Sequence, residues 1–423
     1  MEDLLRELAP QVLGVLARRY GQFDACEDAV QEALLAAAVQ WPQEGVPQQP
    51  RGWLLTVARR SLVDGWRSDS ARRRREDAVM RDPTVRVALV DREAVDFDDT
   101  LTLLFLCCHP ALPAVSQLAL TLRAVGGLTT TEIASAFLVP EATMAKRITR
   151  AKRRLMELGP RFELPPVPQR AERLGVVLSV LYLIFTEGHT ATSGRQLFRT
   201  DLTGEAIRLA RLLHRLLPKD GEVAGLLALM LLSDARRPAR TDAAGSLVPL
   251  EEQHRDLWNA GEISEGLTLL TSTLGRFPIG PYQVQAAIAA VHDEAPTADA
   301  TDWPQILALY DVLERLAPGP LVTLSRAVAV ANVHGARAGL ALLGTLATDE
   351  RATRSHRYDA VRAHLLEQAG DLPAARECYL RAASMTASIP EQRYLTLRAA
   401  KLATPQGGDH SDRPGGLGSF GSR

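Results

Sequence analysis

Aromatic residues make up only 5% of the chain, and cysteine occurs four times in 423 residues. Cys26, Cys107, Cys108 and Cys378 are too few and too scattered for a disulfide framework, which excludes the small stapled scaffolds. No apolar run reaches bilayer-spanning length, and the first residues, MEDLLRELAP, are acidic rather than a basic targeting leader. The expected location is the cytoplasm, with no membrane contact. A formal net charge of −1 excludes a uniformly basic nucleic-acid coat, so any basic character is local. Long β-branched alternation is missing too, while Ala, Leu and Arg dominate, which points to an all-α fold. The length predicts two or three domains.

The local basic character lies in residues 128–158, LTTTEIASAFLVPEATMAKRITRAKRRLMEL. Thr130 or Thr131 can cap a first short helix with an apolar face of Ile133, Ala134 and Phe137. A tight turn follows at Leu138 and Val139, and Pro140 suits the start of a second helix. There Met144, Ile148, Ala151 and Leu155 share one face, and Thr143, Lys146, Arg147, Arg150, Arg153 and Arg154 lie on the other. Nothing acidic interrupts the basic stripe between Glu141 and Glu157, unlike a solvated helix face with mixed charges. This is the pattern of a helix-turn-helix whose second helix enters a DNA major groove.

Upstream, residues 3–20 form an amphipathic helix, with Leu4, Leu5, Leu8, Val12, Val15 and Leu16 inside. A second helix, capped by Asp24, runs to about Trp41 with Phe23, Cys26, Val30, Ala33, Leu34 and Ala37 as its core face. Asp28, Gln31, Glu32 and Leu35 share another face, which reads either as a docking surface or as a single exposed leucine. After a polar, proline-rich loop at Pro42–Pro50, a third helix carries Trp53 and Trp66 beside Arg59, Arg60, Arg67 and the run Arg72–Arg75. Rings beside guanidinium groups suit single-stranded DNA, although Trp53 reads better as core. In FLCCHPAL, adjacent cysteines do not match the spacing of zinc ligands, so Cys107 and Cys108 are read as buried small hydrophobes. No metal or cofactor is expected.

Three stretches, in this order and spacing, carry a family resemblance. DACEDAVQEALLAAAVQWP resembles the sigma-factor segment that docks on the clamp coiled coil of RNA polymerase. PRGWLLTVARRSLVDGWR resembles the helix that handles the promoter −10 element, and LTTTEIASAFLVPEATMAKRITRAKRRL the −35-reading region. Residues 1 to about 160 thus resemble the extracytoplasmic-function sigma factors. FLCCHPAL, YLIFTEGH and AAIAAVHDEAPTADATDWPQI extend the likeness to the subgroup with a large tetratricopeptide-like carboxyl extension.

The resemblance implies a domain plan: 1–75 as sigma region 2, 76–99 as linker, and 100–159 as region 4 with the helix-turn-helix. Residues 160–168 form a proline-rich linker, 169–404 a solenoid-like helical extension, and 405–423 a Gly- and Ser-rich tail of disordered composition. In the extension, Gly370, Ala375, Tyr379 and Ala382 keep tetratricopeptide offsets. Carried over by position, Asp28, Gln31, Glu32 and Leu35 dock on core polymerase. Arg59, Arg60, Asp64 and Arg67 face the melted −10 strand, and Thr143, Lys146, Arg147, Arg150, Arg153 and Arg154 read the −35 duplex. The expected partners are core RNA polymerase, promoter DNA and a regulatory protein on the extension, with no enzymatic activity. The other reading is a one-component regulator whose extension is a sensor. A polar site from Glu187, His189, His254 and His292 is disfavoured, since single polar residues on separate helices more often make structural hydrogen bonds.

Overall fold

A computed structural model describes residues 2–76, 97–137, 139–159 and 162–403, with side chains over 4–64 and from 99 onward within those ranges. Among the described residues the regular elements are nineteen α-helices, three 3-10 turns and one two-residue parallel pairing. No described helix is long and apolar enough to cross a membrane.

The chain divides into two compact units. The first holds residues 1–318 together with 387–389. Its helices are α1 (Glu2–Tyr20), α2 (Phe23–Glu44), α3 (Pro50–Glu76), α4 (Phe97–Cys107), α5 (Ala114–Ala124), α6 (Thr130–Ala136) and α7 (Glu141–Leu158). They continue with α8 (Val167–His189), α9 (Thr200–Leu216), α10 (Gly221–Ala235), α11 (Ala260–Thr273), α12 (Pro281–Glu294) and α13 (Trp303–Leu316). Strand β1 (Ser193–Gly194) pairs in parallel with β2 (Ala387–Ser388).

Several boundaries differ from the sequence expectation. Asp24 does not cap α2: Gln22 holds the cap position without a side-chain bond, and Asp24 lies in the first turn. The helix also runs past Trp41 through Pro42, and stops where Gly45 takes a φ of 85° and its N–H returns to the Trp41 carbonyl. The loop before α3 is therefore shorter than Pro42–Pro50. Trp53 is half-buried and packs edge-on against buried Trp41, with ring centroids 5.5 Å apart, as a core residue does. Helix α4 begins at Phe97, so the acidic DFDD stretch opens a helix rather than closing a linker. Residues 77–96 and the tail 405–423 lie outside the described residues.

One apolar core runs through α1 to α10. Val12, Val30 and Leu54 from the first three helices join Leu104, Leu122, Ile133 and Met144 from the next four. Leu181, Ile184, Phe185, Leu202 and Met230 from α8, α9 and α10 complete it. Close packing of α9 on α8 depends on Gly188, where a Cβ would come within 2.5 Å of the Thr203 nitrogen. The proline-rich stretch before α8 does not act as a free spacer: Pro165 is buried, and Phe162 and Leu164 pack against the same core. The first part of the extension thus shares a core with the two DNA-binding segments.

The second unit comprises residues 319–386 and 390–423. It contains α14 (Pro320–His334), α15 (Ala336–Gly344), α16 (Glu350–Thr353), α17 (His356–Gln368), α18 (Leu372–Met385) and all but the first residue of α19 (Ile389–Lys401). Ala375, Tyr379 and Ala382 all point into a core shared with Ala363, Leu395 and Ala399. The Tyr379 hydroxyl donates to Glu367 at 2.7 Å.

Each large apolar side chain taken from water contributes about 1.5–3 kcal/mol, so losing α8 to α10 removes more than a domain's net stability. A chain truncated after Gly159 is therefore expected to lose cooperative thermal unfolding, while one truncated after Pro318 retains it. Circular dichroism melts of the two truncations check this, and a sharp, native-like transition in the shorter one contradicts the shared core.

Candidate polymerase and nucleic-acid interface

The helix-turn-helix starts with a capping box. The Thr129 hydroxyl accepts the Glu132 N–H at 3.2 Å, and the Glu132 carboxylate accepts the Thr129 N–H at 2.6 Å. Thr129 rather than Thr130 or Thr131 is the cap because only Thr129 has a carboxylate three residues ahead. The Val139 N–H bonds to the Ala134 carbonyl at 3.0 Å across the turn; Leu138 lies outside the described residues. Pro140 takes the cap position of α7 rather than its first helical position.

Met144, Ile148, Ala151 and Leu155 are buried along one side of α7. Lys146, Arg150, Arg153 and Arg154 are exposed on the other, with Thr143 and Arg147 half-buried. Arg153 and Arg154 reach Glu157 at 3.8 and 3.4 Å. Lys146, Arg147 and Arg150 have no ion-pair partner among the described residues, so their charge is available to an incoming anion.

On α2, Leu35 is 63% exposed, and Val39, one turn on, is equally bare. Gln31 is half-buried, and Glu32 accepts the Ser61 hydroxyl of α3. Arg59 is half-buried on α3, while exposed Arg60 stands 4.0 Å from Asp64. The side chains of Trp66, Arg67 and Arg72–Arg75 lie outside the described residues.

The structure ties the two interfaces together through a residue that pattern reading missed. Lys152 of α7 is only 8% exposed, and its ammonium lies 2.8 Å from Asp24, 2.5 Å from Glu27 and 3.0 Å from Asp28, all on α2. Glu27 is 1% exposed and also meets Arg123 of α5 at 2.8 Å. Burial opposes the charge on Lys152, but Glu27 and then Asp24 and Asp28 outweigh it and raise its pKa above the ordinary lysine value. A sequence signal existed: Lys152 stands four residues after Ile148, on the packing side, and DACED places three carboxylates on neighbouring turns. Arg6 of α1 adds a contact to Glu132 at 3.3 Å.

Arginines of the extension hold region-4 backbone. Arg199 donates to the Ser135 and Ala136 carbonyls at 2.7 and 3.0 Å, capping the carboxyl end of α6. Arg208 donates to the Val125 carbonyl at 3.2 Å and Arg173 to that of Phe105 at 2.6 Å.

The remaining polar candidates have separate partners. Glu187 accepts from Thr192, His189 stacks on Phe185, and His254 is exposed. His292 meets Trp303 edge-on, and burial, with help from Arg236 and Arg255, pushes its pKa down to about 4. Cys107 and Cys108 are fully buried, and the Cys108 sulfur lies 3.5 Å from the Thr121 hydroxyl. Among the described residues no group of three or more His, Cys, Asp or Glu side chains is placed to hold a metal.

Comparison with known proteins agrees with this geometry. Residues 4–72 match sigma-70 region 2, residues 102–155 match sigma-70 region 4, and residues 173–274 match a family of unknown function, DUF6596. An uncharacterized protein of Rhizobium meliloti (strain 1021) is 43% identical over 403 residues, covering 93% of this chain and 94% of the relative. A chain that joins regions 2 and 4 on one helical core is a sigma-70-type transcription initiation factor, not an enzyme. It belongs to the extracytoplasmic-function sigma factors that carry a carboxyl-terminal helical extension.

Removing the Lys152 charge leaves a buried Glu27 among like charges, which costs about 3–5 kcal/mol for a buried pair. Lys152→Met is therefore expected to lower stability in urea denaturation, and Glu27→Gln in the same chain to restore a large part of it. Strict additivity of the two losses would contradict the coupling.

Proposed function

We propose that the chain is the promoter-specificity subunit of bacterial RNA polymerase, acting in the cytoplasm with its extension as a required, cis-acting part. The observation that carries this reading is the pairing on one core of an α2 face with Leu35 and Val39 exposed and an α7 face with Lys146, Arg147 and Arg150 unpaired. Asp28, Gln31, Glu32 and Leu35 dock on the clamp coiled coil, with exposed Leu35 as the anchor. Arg59, Arg60, Asp64 and Arg67 face the melted −10 strand. Thr143, Lys146, Arg147, Arg150, Arg153 and Arg154 meet the −35 duplex, where phosphate contacts give affinity and base contacts give choice. A one-component regulator would need no docking face on α2.

The extension completes the core under region 4 and caps α6 through Arg199, which supports a requirement rather than simple inhibition. Its contact with α6 sets how the turn presents α7, so its state can govern promoter reading. The second unit offers the surface for a regulatory protein.

The test is run-off transcription with purified core polymerase. Wild type is expected to give a promoter-specific transcript. Leu35→Asp, which places a charge where an apolar contact is needed, is expected to abolish core association without loss of helicity. Arg147→Ala or Arg150→Ala is expected to cost about 1–3 kcal/mol in promoter binding if the side chain makes a bidentate base contact. A phosphate contact instead weakens all sequences alike. If Leu35→Asp retains core polymerase as well as wild type does, the docking assignment fails.

A further inference from the structure

A cavity of about 390 Å³ lies within the first unit, walled by α1, the start of α3, α4 and α9. Ligand pockets commonly span about 300–1,000 Å³, so this one holds a small molecule rather than a few waters. Pro10, Leu212 and Leu216 give it apolar walls, and Arg51, Arg208 and Arg215 give it three guanidinium groups.

Those charges are not equally committed. Arg208 is held by Glu205 at 2.7 Å and by the Val125 carbonyl, and Asp99 is paired with Arg18 at 3.3 Å. By contrast, the Arg51 Nε is buried with no hydrogen-bond partner. Arg215 is exposed and has no ion-pair partner among the described residues. Glu7, exposed, is the remaining charge of the lining. Two uncommitted guanidinium groups against one exposed carboxylate leave the cavity net positive. A buried guanidinium N–H without an acceptor is costly, and an anion filling the cavity would remove that cost. Planar guanidinium groups match carboxylate, phosphate and sulfonate oxygens in particular.

We propose that this cavity is a binding site for a small organic anion, one with an acidic headgroup for Arg51 and Arg215 and an apolar body for Leu212 and Leu216. Its walls come from region 2, region 4 and the extension. A ligand seated there binds only the arrangement in which these walls face one another, and so shifts the population towards it. On the reading of α2 as the polymerase-docking helix, that makes the anion a signal that couples the extension to core docking.

The test uses full-length chain and 1-anilinonaphthalene-8-sulfonate, an anion with an apolar body, in a fluorescence titration without polymerase or DNA. Its outcome is therefore independent of the sigma-factor reading. Wild type is expected to show one saturable site. Arg215→Gln alters an exposed side chain and leaves the fold intact; paired with Arg51→Gln it is expected to weaken binding about tenfold or more, since each charge-assisted contact is worth about 1.5–3 kcal/mol. Leu212→Trp, which fills the cavity while keeping both arginines, is expected to do the same. Absence of saturable binding to wild type overturns the proposal. So does unchanged affinity in Arg215→Gln and Leu212→Trp chains that melt like wild type.

Discussion

A lysine ammonium withdrawn from water is tolerated only with its charge matched, and Lys152 has three carboxylates within 3.0 Å. All three come from one stretch of α2, because positions 24, 27 and 28 share a helical face. The same helix carries Leu35 outward on another face. A polymerase-docking helix and a DNA-reading helix are therefore fastened through their inner sides, with their working faces turned out. Glu27 completes the arrangement by joining Lys152 to Arg123, so that α2, α5 and α7 meet at one buried charge cluster. The cluster adds direction to an apolar core that is otherwise indifferent to register. A half-satisfied cluster of this kind would be worse than an apolar contact, which makes the full set of partners matter.

The extension is continuous with this arrangement. Its first helices supply Leu181, Phe185 and Leu202 to the core beneath region 4, and its arginines occupy carbonyls at helix ends that would otherwise face a core edge unpaired. The proline-rich stretch between α7 and α8 is pinned by buried Pro165. A signal acting on α8 or α9 thus reaches α6 and α7 through packed side chains and Arg199, without a swinging tether. The division between units falls later, at residue 318.

Much of this was legible in the sequence where one element's own periodicity decides the outcome. The two faces of α7, the core face of α2 and the exposed Leu35 follow from spacing along a single helix. Trp53 as core and the buried Cys107–Cys108 pair follow from residue type and absent ligand spacing. What spacing along one helix does not contain is which helices meet. Lys152 looked like one more member of a basic run until α2 supplied its partners from 124 residues away. Arg199 has no local reason to be anything but a surface residue; its role exists only once α9 lies beside α6. Thr129 was within reach of local reasoning, since the capping box specifies a carboxylate three residues on, and Glu132 satisfies that for one threonine alone.

The claim on which the account rests is that the docking helix and the reading helix are held together in the free chain by the Lys152 cluster. Electron spin resonance between labels on Leu35→Cys and Arg153→Cys measures this directly, since both positions are exposed and the native thiols are buried. The account predicts a single narrow distance distribution in the otherwise wild-type chain, which broadens and lengthens when Lys152→Met is added. A broad distribution already present with Lys152 intact, unchanged by its removal, would contradict it.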